Sequence, residues 1–302
     1  MSSAKTILCT ILLASAMAAF SPAAAMPPLY AVAVLPSPVL STPDFASVFG
    51  GSDGKSPRLD RSGLVREVEF VALPGTVFRI EESFEQGDHS VFLVTTEDYP
   101  YPAKTGYYID SRFVRTYATP LLPRAKHLPA REKVIEGLLA ARGSMYVWGG
   151  NVHGGVPQLL TFYPPATESL PTTTLDIWQL KGVDCSGLLY EATGGFTPRN
   201  TSSLVEYGNP VKIAGLDADG IVRRVEPLDL IVWSGHVMII LDRERVIESR
   251  LSPKGKGGGV VVRPLREALV ELLGVRVPLD DYGEAADGKK GFVIRRWYPD
   301  GR

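Results

Sequence analysis

The sequence predicts an α+β protein with two domains. β-rich segments separated by turn residues come first, an amphipathic helix follows, and a second group of apolar strands completes the chain, an order typical of this class. The chain has 302 residues, more than the roughly 100–200 residues of a typical single domain. Hydrophobic residues make up 45% of it, which is enough for an extended core.

Residues 1–25 have the layout of an export signal. Lys5 is the lone basic residue, an apolar stretch runs from Ile7 to Phe20, and small residues ending at Ala25 fit an A-x-A cleavage site. The apolar stretch is shorter than the roughly 20 residues that a membrane-spanning helix needs. We therefore expect an exported protein of the periplasm or cell envelope, with no membrane attachment after cleavage.

The chain after the signal divides where its composition changes. Residues 26–63 are rich in Pro, Ser and Gly and predict an extended arm, whereas residues 119–129 contain three prolines and predict a linker. Between them, residues 64–118 hold four β-rich runs, at Glu67–Ala72, Thr76–Glu81, Val91–Thr95 and Tyr107–Val114. These runs predict a small β-barrel. Its turn Leu73–Thr76 and its strand motif Gly106–Tyr108 resemble those of a bacterial SH3-like domain.

Residues 130–302 predict helices packed on an antiparallel sheet. Apolar side chains from Val134 to Leu139 recur at helical spacing, and Gly143 is placed to end that helix. Later apolar runs predict five strands, at Leu228–Trp233, Val237–Leu241, Arg245–Glu248, Val260–Arg263 and Phe292–Trp297.

Cys185 is the one thiol that remains after the predicted cleavage, because Cys9 lies in the signal. A single thiol in an exported protein cannot form an internal disulfide, so it is either buried and inert or retained for its chemistry. The segment from Gly182 to Gly195 predicts that Cys185 begins a helix. There the unpaired backbone N–H groups favour the thiolate and can bind an oxyanion, as a nucleophile requires.

Two further residues could complete a catalytic group with this thiol. His236 opens a strand after a short bend and can accept the proton of a cysteine nucleophile, although packed and surface histidines occur in the same pattern. Glu248 lies an even number of residues later, across a predicted hairpin that turns near Asp242. If the loop has an odd number of residues, the two side chains share a face and the carboxylate can orient the imidazole. Otherwise Glu248 is a solvated strand residue.

Three motifs, in order along the chain, resemble the NlpC/p60 family of papain-like cell-wall peptidases. They are Tyr146–Gly150 (YVWGG), Asp184–Gly187 (DCSG) and His236–Ile240 (HVMII). The resemblance implies a papain-like domain with Cys185 as nucleophile, His236 as base and Glu248 as the third residue. It further implies a peptidoglycan stem peptide as substrate, cut between γ-D-Glu and the diamino acid, and no cofactor.

The same resemblance implies contacts with the substrate. Tyr146 would lie beside the nucleophile. Asp184 and Ser186 would receive the free amino terminus of L-Ala, although Asp184 could also cap the helix. Ser202 would face the substrate from a loop that resembles the family's P-R-x-S segment.

Two features depart from the family pattern. Glu248 stands where the family more often has His, Asn or Gln. Residues from about 151 to 181 form an insertion where the family has a short loop, and we expect this insertion to overhang the cleft.

The function that these residues predict is that of a peptidoglycan endopeptidase. The same Cys–His site would also serve an N-acetylmuramoyl-L-alanine amidase or an acyltransferase, and a non-catalytic wall-binding protein is the alternative outside the enzymes. The net charge of −1, without a dense run of Lys or Arg, argues against nucleic acid as a partner. Four scattered histidines and one thiol predict no metal site. The oligomeric state stays open.

Overall fold

The computed structural model describes residues 29–167, 169–252, 258–283 and 288–299. In these residues the chain is a mixed α and β protein with one sheet of seven strands and one of ten. The predicted signal, residues 1–25, lies outside the described residues. None of the helices in the described part has the length and apolar character needed to cross a membrane.

The first sheet is antiparallel throughout and has the strand order β3-β2-β6-β5-β4-β1-β7. Its strands are β1 Tyr30–Ala33, β2 Ser37–Leu40, β3 Val68–Ala72, β4 Val77–Gln86, β5 His89–Thr95, β6 Tyr107–Asp110 and β7 Val114–Tyr117. A helix, α1 Phe45–Gly50, lies between β2 and β3, and a 3-10 turn at Ser111–Phe113 precedes β7. Strands β3, β4 and β5 overlap the first three runs that the sequence predicts, although β4 continues to Gln86. The fourth run is divided into β6, the 3-10 turn and the first residue of β7.

The prediction of an extended arm over residues 26–63 is wrong for its described part. Strand β1 pairs with β4 and β7, and β2 pairs with β3 and β6, so both strands lie inside the sheet. Ala31, Ala33, Val39 and Leu40 are at most 1% exposed. Proline and serine content suggested a loop, but burial against strands far away in the sequence determines the structure here.

The second sheet has the order β11-β17-β12-β13-β14-β15-β8-β10-β9, with β16 beside β17. Its strands are β8 Met145–Tyr146, β9 Asn151–Val152, β10 Gly182–Val183, β11 Asn209–Val211, β12 Leu230–Trp233, β13 His236–Ile240, β14 Arg245–Leu251, β15 Gly258–Pro264, β16 Val277–Pro278 and β17 Gly291–Arg296. The helices of this half are α2 Arg131–Ala140, α3 Gln158–Phe162, α4 Thr172–Trp178, α5 Cys185–Ala192, α6 Thr201–Leu204, α7 Ala218–Val222 and α8 Leu265–Leu273.

Helices cover both faces of the second sheet. Val237 and Ile239 of β13 share a buried cluster with α2 and α5 on one face. Met238 and Ile240 of the same strand share another cluster with α8 on the opposite face. This alternation follows from the two-residue period of a strand, and it sets α5 directly against the strand that begins with His236.

The insertion at about 151–181 joins the two sheets. Leu159 and Trp178 are fully buried together with Phe45 and Phe49 of α1. The Trp178 indole N–H donates to the backbone carbonyl of Tyr163 at 2.9 Å. The insertion therefore forms a shared core with the first sheet. Two of its apolar residues, Ile177 and Leu180, also line a groove, so the expectation that the insertion overhangs the cleft stays a prediction.

Candidate active site

Cys185 is the first residue of α5, as predicted. Strand β10 ends at Val183, and Asp184 then adopts an extended conformation and caps the helix, with its Oδ1 accepting from the backbone N–H of Gly187 at 2.7 Å. Only glycine fits at position 187, because a Cβ there would lie 2.0 Å from the carbonyl oxygen of Gly150. The thiol is consequently held at the open first turn of a helix, where it is 7% exposed.

His236 is set by a two-residue turn between β12 and β13. Gly235 has a φ of 103°, which favours glycine at this turn. Its backbone N–H donates to the Thr201 hydroxyl at 3.0 Å. Trp233 pairs with His236 across the turn, and the two ring centroids lie 5.1 Å apart. The imidazole is therefore oriented by packing as well as by hydrogen bonds.

Glu248 lies on the same face as His236. The pairing of Ile240 with Val246 and the hydrogen bond from the Leu241 N–H to the Arg245 carbonyl leave residues 242–244 as a turn of odd length. When this register is continued, Glu248 lies diagonal to the histidine. His236 Nε2 and Glu248 Oε2 are 2.7 Å apart. The condition that the sequence analysis set for a shared face is thus met.

The second carboxylate oxygen of Glu248 accepts hydrogen bonds from two arginines. Oε1 accepts from Nη1 of Arg263 at 3.0 Å and from Nη1 of Arg250 at 3.4 Å. Glu248 is 3% exposed, so these cations compensate a buried negative charge. Arg263 in turn forms an ion pair with Glu271 of α8.

His236 and Glu248 each shift the pKa of the other toward its charged form. Burial opposes the protonated ring of His236, but hydrogen bonds and charge attraction from Cys185 and Glu248 outweigh burial and raise its pKa to about 9. Burial likewise opposes ionisation of Glu248, but His236 and Arg263 outweigh it and lower its pKa to about 2. Because Nε2 faces the carboxylate, Nδ1 is the nitrogen left for the thiol. The arrangement favours an imidazolium beside the Glu248 carboxylate.

Asp184 and Ser186 are bonded to groups of the protein. Arg199 binds both carboxylate oxygens of Asp184, at 2.9 and 2.6 Å, and also donates to the Ser186 hydroxyl at 3.0 Å. Asp184 is 9% exposed and Ser186 is 4% exposed. The capping role that the sequence analysis weighed for Asp184 is present in the structure. Arg199, which was not among the predicted site residues, is its main partner.

Tyr146 lies beside Asp184 and Cys185. It is part of β8, in register with Val183 immediately before the helix. Burial, together with the nearby Asp184 carboxylate and Cys185, raises the pKa of the Tyr146 phenol. The hydroxyl therefore keeps its proton and can donate a hydrogen bond.

A groove of about 360 Å³ opens beside Tyr146. One wall is formed by residues 59–65, which precede β3, and the other by residues 145–148 together with Ile177 and Leu180 of the insertion. Trp148 is 39% exposed and carries the Arg66 guanidinium 4.4 Å from its ring. This volume lies in the range of ligand-binding clefts.

The loop around residue 200 carries two neighbouring hydroxyl groups, on Thr201 and Ser202. Ser202 is exposed on α6, whereas Thr201 contacts the turn that positions His236. The predicted contact of Ser202 with the substrate stays a prediction. Among the described residues, no group of three His, Cys, Asp or Glu side chains is placed to hold a metal ion.

No family model matches this chain, and no curated protein does. Two solved structures are similar to it at low identity. An NlpC/p60 family protein from Bacillus cereus is 14% identical, over 90% of this chain and 64% of that one, with a TM-score of 0.33. RipD from Mycobacterium tuberculosis, described as a non-catalytic NlpC/p60 domain protein adapted to peptidoglycan binding, is 17% identical over 56% of this chain and 98% of that one, with a TM-score of 0.31. Since this chain spans only 64% of the length of the Bacillus protein, we base its function on the geometry of its own site.

Proposed function

We propose that this chain is an exported cysteine peptidase of the NlpC/p60 type, with an SH3-like first half and a papain-like second half, that cuts peptidoglycan stem peptides. The observation that carries the proposal is the 2.7 Å contact between His236 Nε2 and Glu248 Oε2, together with the pKa of His236, which its interactions with Cys185 and Glu248 raise to about 9. A nucleophile, a base and an orienting carboxylate in contact are the minimum needed for acyl transfer.

The reaction follows from the positions of the three groups. The Cys185 thiolate attacks the carbonyl carbon of the scissile amide, and backbone N–H groups at the start of α5 stabilise the oxyanion. The carbon–nitrogen bond then breaks as the imidazolium of His236 gives its proton to the departing amine. A water molecule, deprotonated by the now neutral imidazole, attacks the thioester and releases the acid, which restores the thiolate and the imidazolium.

The substrate class is inferred from the motifs. The YVWGG, DCSG and HVMII segments resemble those of enzymes that cut between γ-D-Glu and the diamino acid of stem peptides. The predicted export signal would bring the protein to the compartment that holds this substrate. The groove beside Tyr146 offers room for an extended peptide.

Retention of all three groups favours hydrolysis over binding alone. A protein that only binds the wall has no use for an imidazole whose pKa is raised to about 9 by a thiol and a carboxylate, nor for a buried carboxylate held by two arginines. Perturbed titratable groups that converge on one point are typical of active sites.

The test is product analysis with purified muropeptides. We expect the wild-type protein to release the diamino acid side of the stem peptide, and both Cys185→Ala and His236→Ala to abolish release. His127→Ala is the matched control, because His127 is exposed in the linker and should leave turnover unchanged. Cleavage only at the sugar–L-Ala bond would identify an amidase, whereas binding without turnover by the wild-type protein would identify a wall-binding protein. Either result would overturn the proposal.

A further inference from the structure

Arg199 occupies the centre of a buried polar network behind the nucleophile. It is 3% exposed, and its contacts use the whole guanidinium. Two of its N–H groups bind Asp184 and one binds the Ser186 hydroxyl, while Nε donates to Asn151 Oδ1 at 3.1 Å and Nη2 to the Gly150 carbonyl at 3.2 Å. A guanidinium has five N–H donors, and five contacts are present here, so the side chain is held in one orientation.

Asn151 connects this guanidinium to the first sheet. Its Nδ2 donates to the Val71 carbonyl at 2.8 Å, and its Oδ1 accepts from the Val71 backbone N–H at 3.0 Å. Val71 belongs to β3, which is at the edge of the seven-stranded sheet. The amide thus pairs with that edge as a neighbouring strand would, and it is completely buried.

The other end of the network is the first turn of α5. Asp184 accepts from the Gly187 backbone N–H with the same Oδ1 that Arg199 Nη1 binds. The direction of the first-turn N–H groups therefore depends on the carboxylate, and the carboxylate depends on the guanidinium. An unbroken series of hydrogen bonds joins Val71, Asn151, Arg199 and Asp184 and ends one residue before Cys185.

From this continuity we infer that Asn151 and Arg199 are positioning residues for Cys185, which makes the first sheet a part of the catalytic apparatus. The inference rests on the proposed role of Cys185 as nucleophile. Removal of Arg199 takes both guanidinium contacts from Asp184. Removal of Asn151 takes one of the five contacts from Arg199 and detaches it from β3. In both variants we expect Asp184 to be held less rigidly, which lets the first turn of α5 tilt. A misplacement of the reacting atom by about 1 Å lowers a rate roughly 100-fold.

Asn151→Ala is the main test, because it interrupts the network without leaving a buried charge unpaired. We expect kcat on muropeptides to fall roughly 100-fold while KM changes little, since Asn151 is buried and does not touch the groove. Asn209→Ala is the matched control, because Asn209 is an exposed asparagine on β11.

Arg199 needs a paired design, since its loss alone would leave the buried carboxylate of Asp184 uncompensated and could unfold the protein. Arg199→Lys keeps the positive charge, but an ammonium cannot bind both Asp184 oxygens with two parallel hydrogen bonds. We therefore expect this variant to have only part of the wild-type activity. Arg199→Met combined with Asp184→Asn removes both charges, and it should fold while remaining slow.

A second readout separates positioning from a general loss of stability. The rate of alkylation of Cys185 by iodoacetamide, followed on its own peptide by mass spectrometry across pH, reports the reactivity of the thiol. We expect Asn151→Ala to shift this pH profile to higher pH at temperatures where the variant remains folded. An unchanged alkylation profile, or an unchanged kcat, would overturn the inference. If the wild-type protein cuts no stem peptide, the proposed function fails, yet the alkylation profile still decides whether the network positions the thiol.

Discussion

His236 Nε2 and Glu248 Oε2 lie 2.7 Å apart across the β13–β14 hairpin, with the carboxylate almost completely buried. A buried carboxylate attracts the imidazolium more strongly than a neutral side chain does. The family that the motifs resemble more often has His, Asn or Gln at this position. It also needs compensation, which Arg250 and Arg263 supply on the other oxygen. The site therefore alternates positive and negative groups, from His236 through Glu248 to the two arginines. The contribution of each group can be tested by substitution.

Glu248→Gln tests the carboxylate. The pKa of His236 is raised above its usual value of 6.5 to about 9, so the imidazolium persists below this pH and is lost as the pH rises through it. Because the variant removes the negative partner, the pKa of His236 should fall and the alkaline limb of the kcat profile should move to lower pH. We expect kcat at neutral pH to fall about 100-fold.

The control for this variant is Glu244→Gln, which changes an exposed glutamate in the same hairpin. The measurement is the full pH profile of kcat with a stem peptide. If both variants keep the wild-type alkaline limb, Glu248 does not act on His236.

The strand pattern allowed the His236–Glu248 contact to be predicted from the sequence, because parity along a strand and an odd loop decide which side chains share a face. The helix start at Cys185 could likewise be predicted, since capping residues and glycines are local signals. The contacts of Arg199 and Arg263 could not, because each meets its carboxylate across 15 residues. Arg199 belongs to the P-R-x-S segment, but that pattern does not reveal its pairing with Asp184. The burial of β1 and β2 was missed for the same reason, as only the distant strands β3, β4, β6 and β7 determine it.

Arg263→Met tests the compensation on the far side of the carboxylate. Glu248 has a pKa lowered from 4.5 to about 2, so it is ionised above that range and becomes protonated as the pH falls through about 2. Without the guanidinium its pKa should rise, and the acid limb of kcat/KM should move to higher pH. Loss of one charged hydrogen bond would also lower kcat/KM on the order of 10-fold.

Arg243→Met is the matched variant, since Arg243 is exposed in the β13–β14 loop. Arg263→Lys should restore the acid limb in part, because the ammonium keeps the charge and loses only the geometry. An acid limb that stays in place in Arg263→Met would mean that Arg250 and His236 are sufficient to keep the carboxylate ionised.

Trp178→Ala tests whether the insertion is a structural core or a cover for the cleft. Trp178 is fully buried among side chains of both sheets, so its truncation should lower the free energy of unfolding by about 3–5 kcal/mol, measured by urea denaturation. Leu122→Ala is the control, because Leu122 is 90% exposed and should change that free energy by less than about 0.5 kcal/mol. A segment that covers the substrate would instead affect KM in protein that remains folded. We expect KM to stay close to its wild-type value well below the melting temperature, because the contacts of Trp178 lie in the core that joins the sheets. A large rise in KM without loss of stability would indicate that the insertion covers the cleft.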